Sequence, residues 1–216
     1  MAKKIIIWGA GGHALVVADA LRSNGEAVFG FIDTVSFVRK DAQLMDLPVW
    51  GSVHEAVTSC QEDGCEIAFG FGHCAARSQG IKYLDRSGIS LKTVVHARAY
   101  VSPAASLGRG IYVAPNAVVE PGCSIGDGVI VNAGSVVCHE SSIGQAVSIC
   151  PGVCIGGKAK VGEASWLGIG CTLIDKVCVG TGCFIGGGAV VIKGIPDRSL
   201  AYGVPARVVG QAVAEF

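Results

Sequence analysis

The sequence lacks three features that would each define a class of protein: an excess of charge, a long apolar run and a paired-cysteine motif. Its 17 basic and 17 acidic residues give a formal net charge of zero, which removes the electrostatic attraction expected of a protein that binds nucleic acid or an anionic membrane. The amino terminus has four consecutive apolar residues, 5 to 8, too few for a signal-peptide core or a membrane span. We therefore expect a cytoplasmic protein without nucleic-acid or membrane partners.

The ten cysteines include no C-x-x-C pair, so neither a zinc knuckle nor a redox motif is indicated. In a cytoplasmic chain they are best interpreted as reduced thiols that pack as small apolar groups. Histidine gives no metal site either, because a zinc-dependent β-helix needs three histidines around one interface. The second part of the chain offers His96 and His139, 43 residues apart. We predict no metal.

Glycine, in contrast, is abundant: 32 residues, about twice ordinary usage. Residues 95–196 divide into 17 consecutive hexads without an insertion. Every hexad begins with Val, Leu or Ile, the fifth residue is always Ala, Ser, Cys, Val or Ile, and the fourth is Gly or Asn in ten. This pattern predicts a parallel β-helix. The first residue would point into a narrow interior, the fifth would fill a corner, and the fourth would take a left-handed turn.

Residues 1–92 follow a different pattern. The segments KIIIW, AVFGFID and EIAFGFG are typical of buried strands, and HALVVADALRSNG and HCAARSQGIKYLDRSG have the apolar spacing of helices. Strands that alternate with helices predict a small parallel sheet. We therefore expect two domains: an α/β domain over residues 1–92 and the β-helix with a C-terminal tail over residues 93–216.

A glycine loop follows the first predicted strand. Gly9, Gly11 and Ala14 match the dinucleotide-binding fingerprint, and Asp33 lies 24 residues after Gly9 in the expected acidic position. However, a dinucleotide fold needs two βαβαβ halves, and about 90 residues precede the repeats. Half of a Rossmann fold suits a mononucleotide better than NAD.

One hexad, VCHESS, carries His139 followed by Glu140. Glu140 is the one acidic residue at a fourth position, and local rules tend to be broken at functional sites. A histidine can accept a proton near neutral pH, and a neighbouring carboxylate favours the imidazolium that forms. On the residues alone, a catalytic base and an incidental surface pair both remain open. Cys138 should point to the other side of the strand, where packing is its expected role.

The order of GAGGHA, FID, AFG, the HE pair and the terminal GVPAR resembles the NeuD/PglD-like family of hexapeptide-repeat acetyltransferases. This family contains nucleotide-linked 4-amino-sugar N-acetyltransferases and sialic acid O-acetyltransferases. The resemblance implies a left-handed β-helix with three hexads per coil, and a homotrimer with active sites between subunits. It also implies that His139 is the general base, that Glu140 raises its basicity, and that the acetyl group passes directly from acetyl-CoA. A backbone N–H would stabilise the oxyanion.

The resemblance also implies the binding residues. Those for a nucleotide-linked sugar are Gly11, Gly12, His13, Asp33, Thr34 and Gly70. Those for acetyl-CoA are Ser148, where the family has a histidine, together with Gly157, Val204, Pro205 and Ala206. His13 would either contact the phosphates or cap the loop. Enzymes that use UDP-sugars carry a second acidic residue where this chain has Thr34, so GDP and dTDP are open as well as UDP.

Three functions are consistent with these patterns. The first is N-acetylation of a nucleotide-linked 4-amino-4,6-dideoxysugar in the biosynthesis of bacterial surface glycans. The second is O-acetylation of sialic acid, and the third is a non-catalytic nucleotide-binding scaffold. The nucleotide-binding loop favours the first function over the second, because a sialic acid acceptor need not carry a nucleotide. The pair His139 and Glu140 argues against a scaffold.

Overall fold

A computed structural model describes residues 3–35, 43–60 and 64–212. The first part of the described chain is a sheet flanked by helices: β1 (Lys4–Trp8), α1 (Gly12–Ser23), β2 (Val28–Ile32), β3 (Gln43–Leu44), β4 (Leu47–Trp50), α2 (Val53–Ser59), β5 (Cys65–Phe69), α3 (Cys74–Arg86) and β6 (Ser90–Leu91). The strands lie in the order β3-β4-β2-β1-β5-β6. All neighbours in this sheet pair in parallel except β3 and β4.

The three strands and two helices predicted for this part are present, and the structure adds β4, α2 and β6. The parallel order β4-β2-β1-β5-β6 is that of a doubly wound sheet, so this part is larger than the three-strand half expected from the sequence. Such sheets bind ligands where the chain connections change direction. Here that point lies outside the carboxyl ends of β1 and β5.

Local sequence explains the elements that frame this point. The continuous apolar run of β1 suits a strand that is covered on both faces, and Ile5, Ile6 and Ile7 are all buried. Helix α1 buries one apolar stripe against the sheet. It ends at Gly25, whose φ of 76° gives the left-handed residue that commonly closes a helix.

The second part is a left-handed parallel β-helix with three faces. The first face contains β7 (Val94–Val95), β10 (Tyr112–Val113), β13 (Ile130–Val131), β16 (Ser148–Ile149), β19 (Trp166–Leu167), β22 (Phe184–Ile185), β24 (Ser199–Gly203) and β25 (Ala206–Gln211). The second contains β8 (Tyr100–Val101), β11 (Val118–Val119), β14 (Val136–Val137), β17 (Cys154–Ile155), β20 (Thr172–Leu173) and β23 (Val190–Val191). The third contains β9 (Ser106–Leu107), β12 (Ser124–Ile125), β15 (Ser142–Ile143), β18 (Lys160–Val161) and β21 (Cys178–Val179).

The hexads take the roles that their pattern predicts. Stacked strands pair 18 residues apart, as Tyr112 does with Ile130, so three hexads make one coil. From Val113 to Val191 every first residue of a hexad is at most 3% exposed. From Gly110 to Gly188 every fourth residue has a positive φ, including the non-glycine residues. A left-handed backbone costs a non-glycine residue about 1–2 kcal/mol, and the stacking of the coils imposes it.

The two parts pack against each other through the first face. Tyr112, Ala114 and Ile130 of this face join the apolar cluster under α1. Arg77 of α3 is fully buried, and it donates hydrogen bonds of 2.9 Å to the carbonyls of Gly128 and Ala146. These two carbonyls lie at the corner between the third and first faces, so α3 is fixed along that corner.

Two sequence-based expectations concern the chemical class of the chain. All ten cysteines are free thiols, as predicted. None of the three described helices combines the length and the hydropathy that a bilayer crossing requires.

Candidate active site

A cavity of about 1020 Å³ opens at the carboxyl ends of β1 and β5. Its lining includes all six residues assigned to the nucleotide-linked sugar: Gly11, Gly12, His13, Asp33, Thr34 and Gly70. The sequence analysis did not assign the aromatic side of this cavity, which is formed by Trp8, Phe71 and Tyr83. Trp8 packs edge-on against the other two rings at centroid distances of 5.9 Å. The signal for this wall was present as aromatic residues at the ends of β1 and β5.

The glycines of this cavity have two different reasons to be glycine. A Cβ on Gly9 would lie 2.5 Å from the carbonyl oxygen of Gly70, and one on Gly70 would lie 2.5 Å from Ile7. These two residues therefore let the loops after β1 and β5 touch. A Cβ on Gly11 or Gly12 would meet nothing within 4 Å. Packing within the protein does not require glycine there, and bare backbone at a helix N-terminus is suited to a phosphate.

His13 lies at the floor of the cavity against the β-helix. Its ring packs edge-on against Tyr112, with centroids 5.3 Å apart. Burial, and secondarily the charge of Arg77, lower the pKa of His13 to about 4, so the imidazole is neutral at pH 7. Within the described residues, neither His13 Nε2 nor the Tyr112 hydroxyl has a hydrogen-bond partner. His13 also makes no side-chain cap of α1, so the capping alternative is incorrect.

Asp33 and Thr34 stand at the carboxyl end of β2. A carboxylate oxygen of Asp33 accepts a 3.0 Å hydrogen bond from the amide of Val35. The Thr34 hydroxyl oxygen accepts a 3.3 Å hydrogen bond from the Trp8 indole, which leaves the hydroxyl proton of Thr34 to be donated elsewhere. The β2 end therefore offers this cavity one anionic acceptor and one neutral donor.

His139 and Glu140 lie at a different place, which we call the His139 corner: the turns between the second and third faces at residues 120–122, 138–140, 156–158, 174–176 and 192–194. The Nδ1 atom of His139 is 3.2 Å from a carboxylate oxygen of Glu140. Both side chains are more than half exposed. This contact orients the ring and leaves Nε2 as the atom that can accept a proton.

Glu140 has a second partner, which the sequence analysis missed. The other carboxylate oxygen of Glu140 is 3.5 Å from the ammonium of Lys158, one coil further along. The hydrogen bond to His139, followed by the charge of Lys158, holds the pKa of Glu140 below its ordinary value. Glu140 is therefore an anion beside the imidazole throughout the neutral pH range. The 18-residue spacing of positions 140 and 158 was the signal that could have found Lys158.

Gly157 leaves the space that the His139 ring occupies. A Cβ on Gly157 would lie 2.6 Å from Nε2 and 2.7 Å from Cε1 of His139. Gly157 is one coil after His139, at the same corner. The amide of Gly157 donates a 2.8 Å hydrogen bond to Asp175, so this residue is ordered from the coil below.

Cys138, although adjacent to His139, is not set up as a nucleophile. Burial, with a smaller contribution from the charge of Glu120, raises the pKa of the Cys138 thiol to about 11. At neutral pH the sulfur therefore stays protonated, and the thiolate is the nucleophilic form. Packing remains the expected role of Cys138.

Ser148 does not occupy the position expected for a cofactor contact. Its side chain is 4% exposed and lies under α3. The hydroxyl accepts a 2.7 Å hydrogen bond from Arg77 and donates a 3.0 Å hydrogen bond to the carbonyl of Gly72. The expectation from the family spacing is corrected here, because Ser148 joins the cavity loop to the β-helix.

The C-terminal segment assigned to acetyl-CoA is the turn of the hairpin formed by β24 and β25. Val204 is 75% exposed, whereas Ala206 is 7% exposed and packs into the β-helix core. The Val204–Pro205 peptide bond is cis. Val204 and Pro205 are thus accessible to a ligand, and the side chain of Ala206 is not. Among the described residues no group of three or more His, Cys, Asp or Glu side chains is arranged to hold a metal ion.

Comparison with known proteins identifies the chain. The family model for the PglD N-terminal domain matches residues 4–84. A point variant of GDP-perosamine N-acetyltransferase from Caulobacter crescentus, solved with CoA and GDP-perosamine, is 32% identical, with a TM-score of 0.89 over 98% of this chain and 99% of that one. The chain belongs to the NeuD/PglD-like family of sugar acetyltransferases. It is therefore an acetyltransferase, as the sequence analysis predicted.

Two further structures extend this NeuD/PglD-like comparison. The acetyltransferase domain of PglB from Neisseria gonorrhoeae, in complex with acetyl coenzyme A, is 32% identical, with a TM-score of 0.88 over 97% of this chain and 100% of that one. WeeI from Acinetobacter baumannii is 22% identical, with a TM-score of 0.83 over 96% of this chain and 100% of that one, and supports the fold alone. No curated protein sequence matches the chain.

Proposed function

We propose that this protein transfers an acetyl group from acetyl-CoA to the 4-amino group of a nucleotide-linked 4-amino-4,6-dideoxysugar, for use in bacterial surface glycans. The observation that carries the proposal is the pair His139 and Glu140, standing over Gly157 at a corner of a β-helix whose other part holds a nucleotide-sized cavity. The relative that binds GDP-perosamine and the relative that binds acetyl coenzyme A support both substrates.

The chemistry follows from the position of Nε2. The amine nitrogen attacks the thioester carbonyl carbon, and Nε2 of His139 takes the proton that the amine loses. When the tetrahedral intermediate collapses, the carbon–sulfur bond breaks, and the CoA sulfur leaves with a proton. Anionic Glu140 stabilises the imidazolium between these steps. This route needs no covalent enzyme intermediate, in keeping with the protonated Cys138.

The same proposal includes a homotrimer. The nucleotide cavity lies beside the corner between the third and first faces, because α3 is fixed there through Gly128 and Ala146. His139 lies at the corner between the second and third faces. The width of the third face, on the order of 15 Å for about five residues, separates these corners. A sugar held in the cavity would therefore meet the His139 corner of a neighbouring copy, which makes the assembly part of the site.

The test is mass-spectrometric detection of acetylated product from acetyl-CoA and a panel of acceptors. The panel contains GDP-, dTDP- and UDP-linked 4-amino-4,6-dideoxysugars, with CMP-linked and free sialic acid as the hydroxyl acceptors. We expect the mass of one acetyl group to be added to a nucleotide-linked amino sugar. Addition to sialic acid alone would move the function to O-acetylation. No product from any acceptor would favour a scaffold.

A further inference from the structure

The backbone amide of His139 is held in an unusual way. Along the corners, the amide of each fourth residue donates to a carbonyl of the preceding coil, as Lys158 does to His139 at 2.8 Å. Amides of third residues are received by carboxylates at four places in the described β-helix, each at 2.8 Å. These pairs are Arg109 with Asp127, His139 with Glu120, Gly157 with Asp175, and Thr181 with Asp197.

The direction of the bond distinguishes His139 from the other three. Asp127, Asp175 and Asp197 all lie further along the chain than the amides they receive, whereas Glu120 belongs to the coil before His139. The reason is the residue that follows His139 by one coil. That residue is Gly157, which has no side chain because the imidazole occupies the space above it.

The gap that admits the catalytic ring thus removes the usual acceptor for the amide of the same residue. Glu120 replaces it from the opposite side, through a carboxylate bond that is stronger than a neutral one. His139 is then held between two coils: its amide donates to Glu120, and its carbonyl accepts from Lys158. Without the first bond, the turn that aims the imidazole is fixed from one side alone.

We propose that Glu120 is a positioning residue for acetyl transfer, which fixes the backbone of His139 and does not itself contact the reacting atoms. This inference rests on the proposed function, in which His139 is the base. Glu120 is half-buried beside the turn, and its role requires an acceptor oxygen rather than a charge. Glutamine should therefore be able to replace it, because an amide oxygen can accept the same hydrogen bond.

The experiment compares Glu120→Ala, Glu120→Gln and Asp197→Ala by steady-state kinetics and thermal unfolding. Misplacement of a catalytic group by about 1 Å can cost on the order of 10²-fold in rate. We expect Glu120→Ala to lower kcat by about 10- to 100-fold while KM for both substrates stays within about twofold. Glu120→Gln should restore kcat to within about threefold of wild type. Asp197→Ala removes the same kind of bond, from the amide of Thr181, far along the chain from His139, and should leave kcat unchanged.

The outcomes separate the two proposals. Wild-type kcat in Glu120→Ala overturns the positioning role, and so does an equal loss of kcat in Glu120→Gln, which would point to charge. An equal loss in Asp197→Ala would point to general loosening of the β-helix and overturns it too. Full activity of His139→Ala would instead overturn the proposed function, whatever Glu120 does.

Discussion

Filling the gap beneath the imidazole is the most direct test of the geometry at the His139 corner. In Gly157→Ala the new methyl carbon would lie 2.6 Å from Nε2 of His139, whereas ordinary contact begins at 3.4 Å. The ring must therefore move by at least the difference, 0.8 Å. The His139 side chain is 55% exposed, so it can turn outward with little effect on the free energy of unfolding.

Such a displacement changes the position of the atom that takes the proton. A shift close to 1 Å can reduce the rate on the order of 10²-fold, so we expect kcat of Gly157→Ala to fall by about 10²-fold. The assay is steady-state formation of acetylated product, accompanied by thermal unfolding of each variant.

The matched control is Gly187→Ala. Gly187 is also the third residue of its hexad, but its added Cβ would meet a carbonyl oxygen of Ile169 at 3.2 Å, and it lies away from the His139 corner. The control should keep wild-type kcat. If Gly157→Ala also keeps wild-type kcat, the gap does not place the base. A rise in KM for acetyl-CoA at unchanged kcat would show that the methyl group blocks the cofactor instead.

Three further predictions concern single side chains. His139→Ala should lower kcat by about 10²- to 10⁴-fold, the usual contribution of a general base, with an unchanged melting temperature, and equal activity would contradict the proposed chemistry. His13 has a pKa of about 4 in the folded protein and about 6.5 when unfolded, so the unfolded chain binds more protons between these values. Stability should therefore fall as the pH falls, by about 2 kcal/mol from pH 7 to pH 5, in urea titrations of wild type compared with His13→Gln, and parallel curves would refute this. Ser148→Ala should lower the free energy of unfolding by about 1–3 kcal/mol, because it unpairs the buried Arg77, and a change confined to KM for acetyl-CoA would restore the cofactor role.

The β-helix was predictable because each position of a hexad has one physical task. The period specifies which residue is buried and which takes the left-handed turn, and Glu140 follows this rule with a φ of 58° although its side chain suits the turn poorly. The first part was predicted less completely. Pro48 argues against a strand, yet β4 is present because Trp50 covers Gly30 of β2.

The position of Ser148 could not be predicted from spacing. Its distance from His139 along the chain places it on the first face, but spacing within the repeats cannot show that α3 of the other part covers that face. The pairing of Glu140 with Lys158 lies within the repeats, and the coil length alone would have placed these residues side by side. Sequence periodicity thus predicts contacts between coils, whereas contacts between the two parts require the three-dimensional structure.

The coil length sets which changes of chain length this protein can accept. Stacked strands pair 18 residues apart, so inserting one or two residues would turn every later inward side chain outward. An insertion of one hexad would restore the interior, but it would move all later side chains to the next face and separate Lys158 from Glu140. Insertion of a whole coil between the two parts of a site would keep both the interior and the face, while adding about 5 Å of height. Viable length variants of the region around His139 should therefore differ by whole coils.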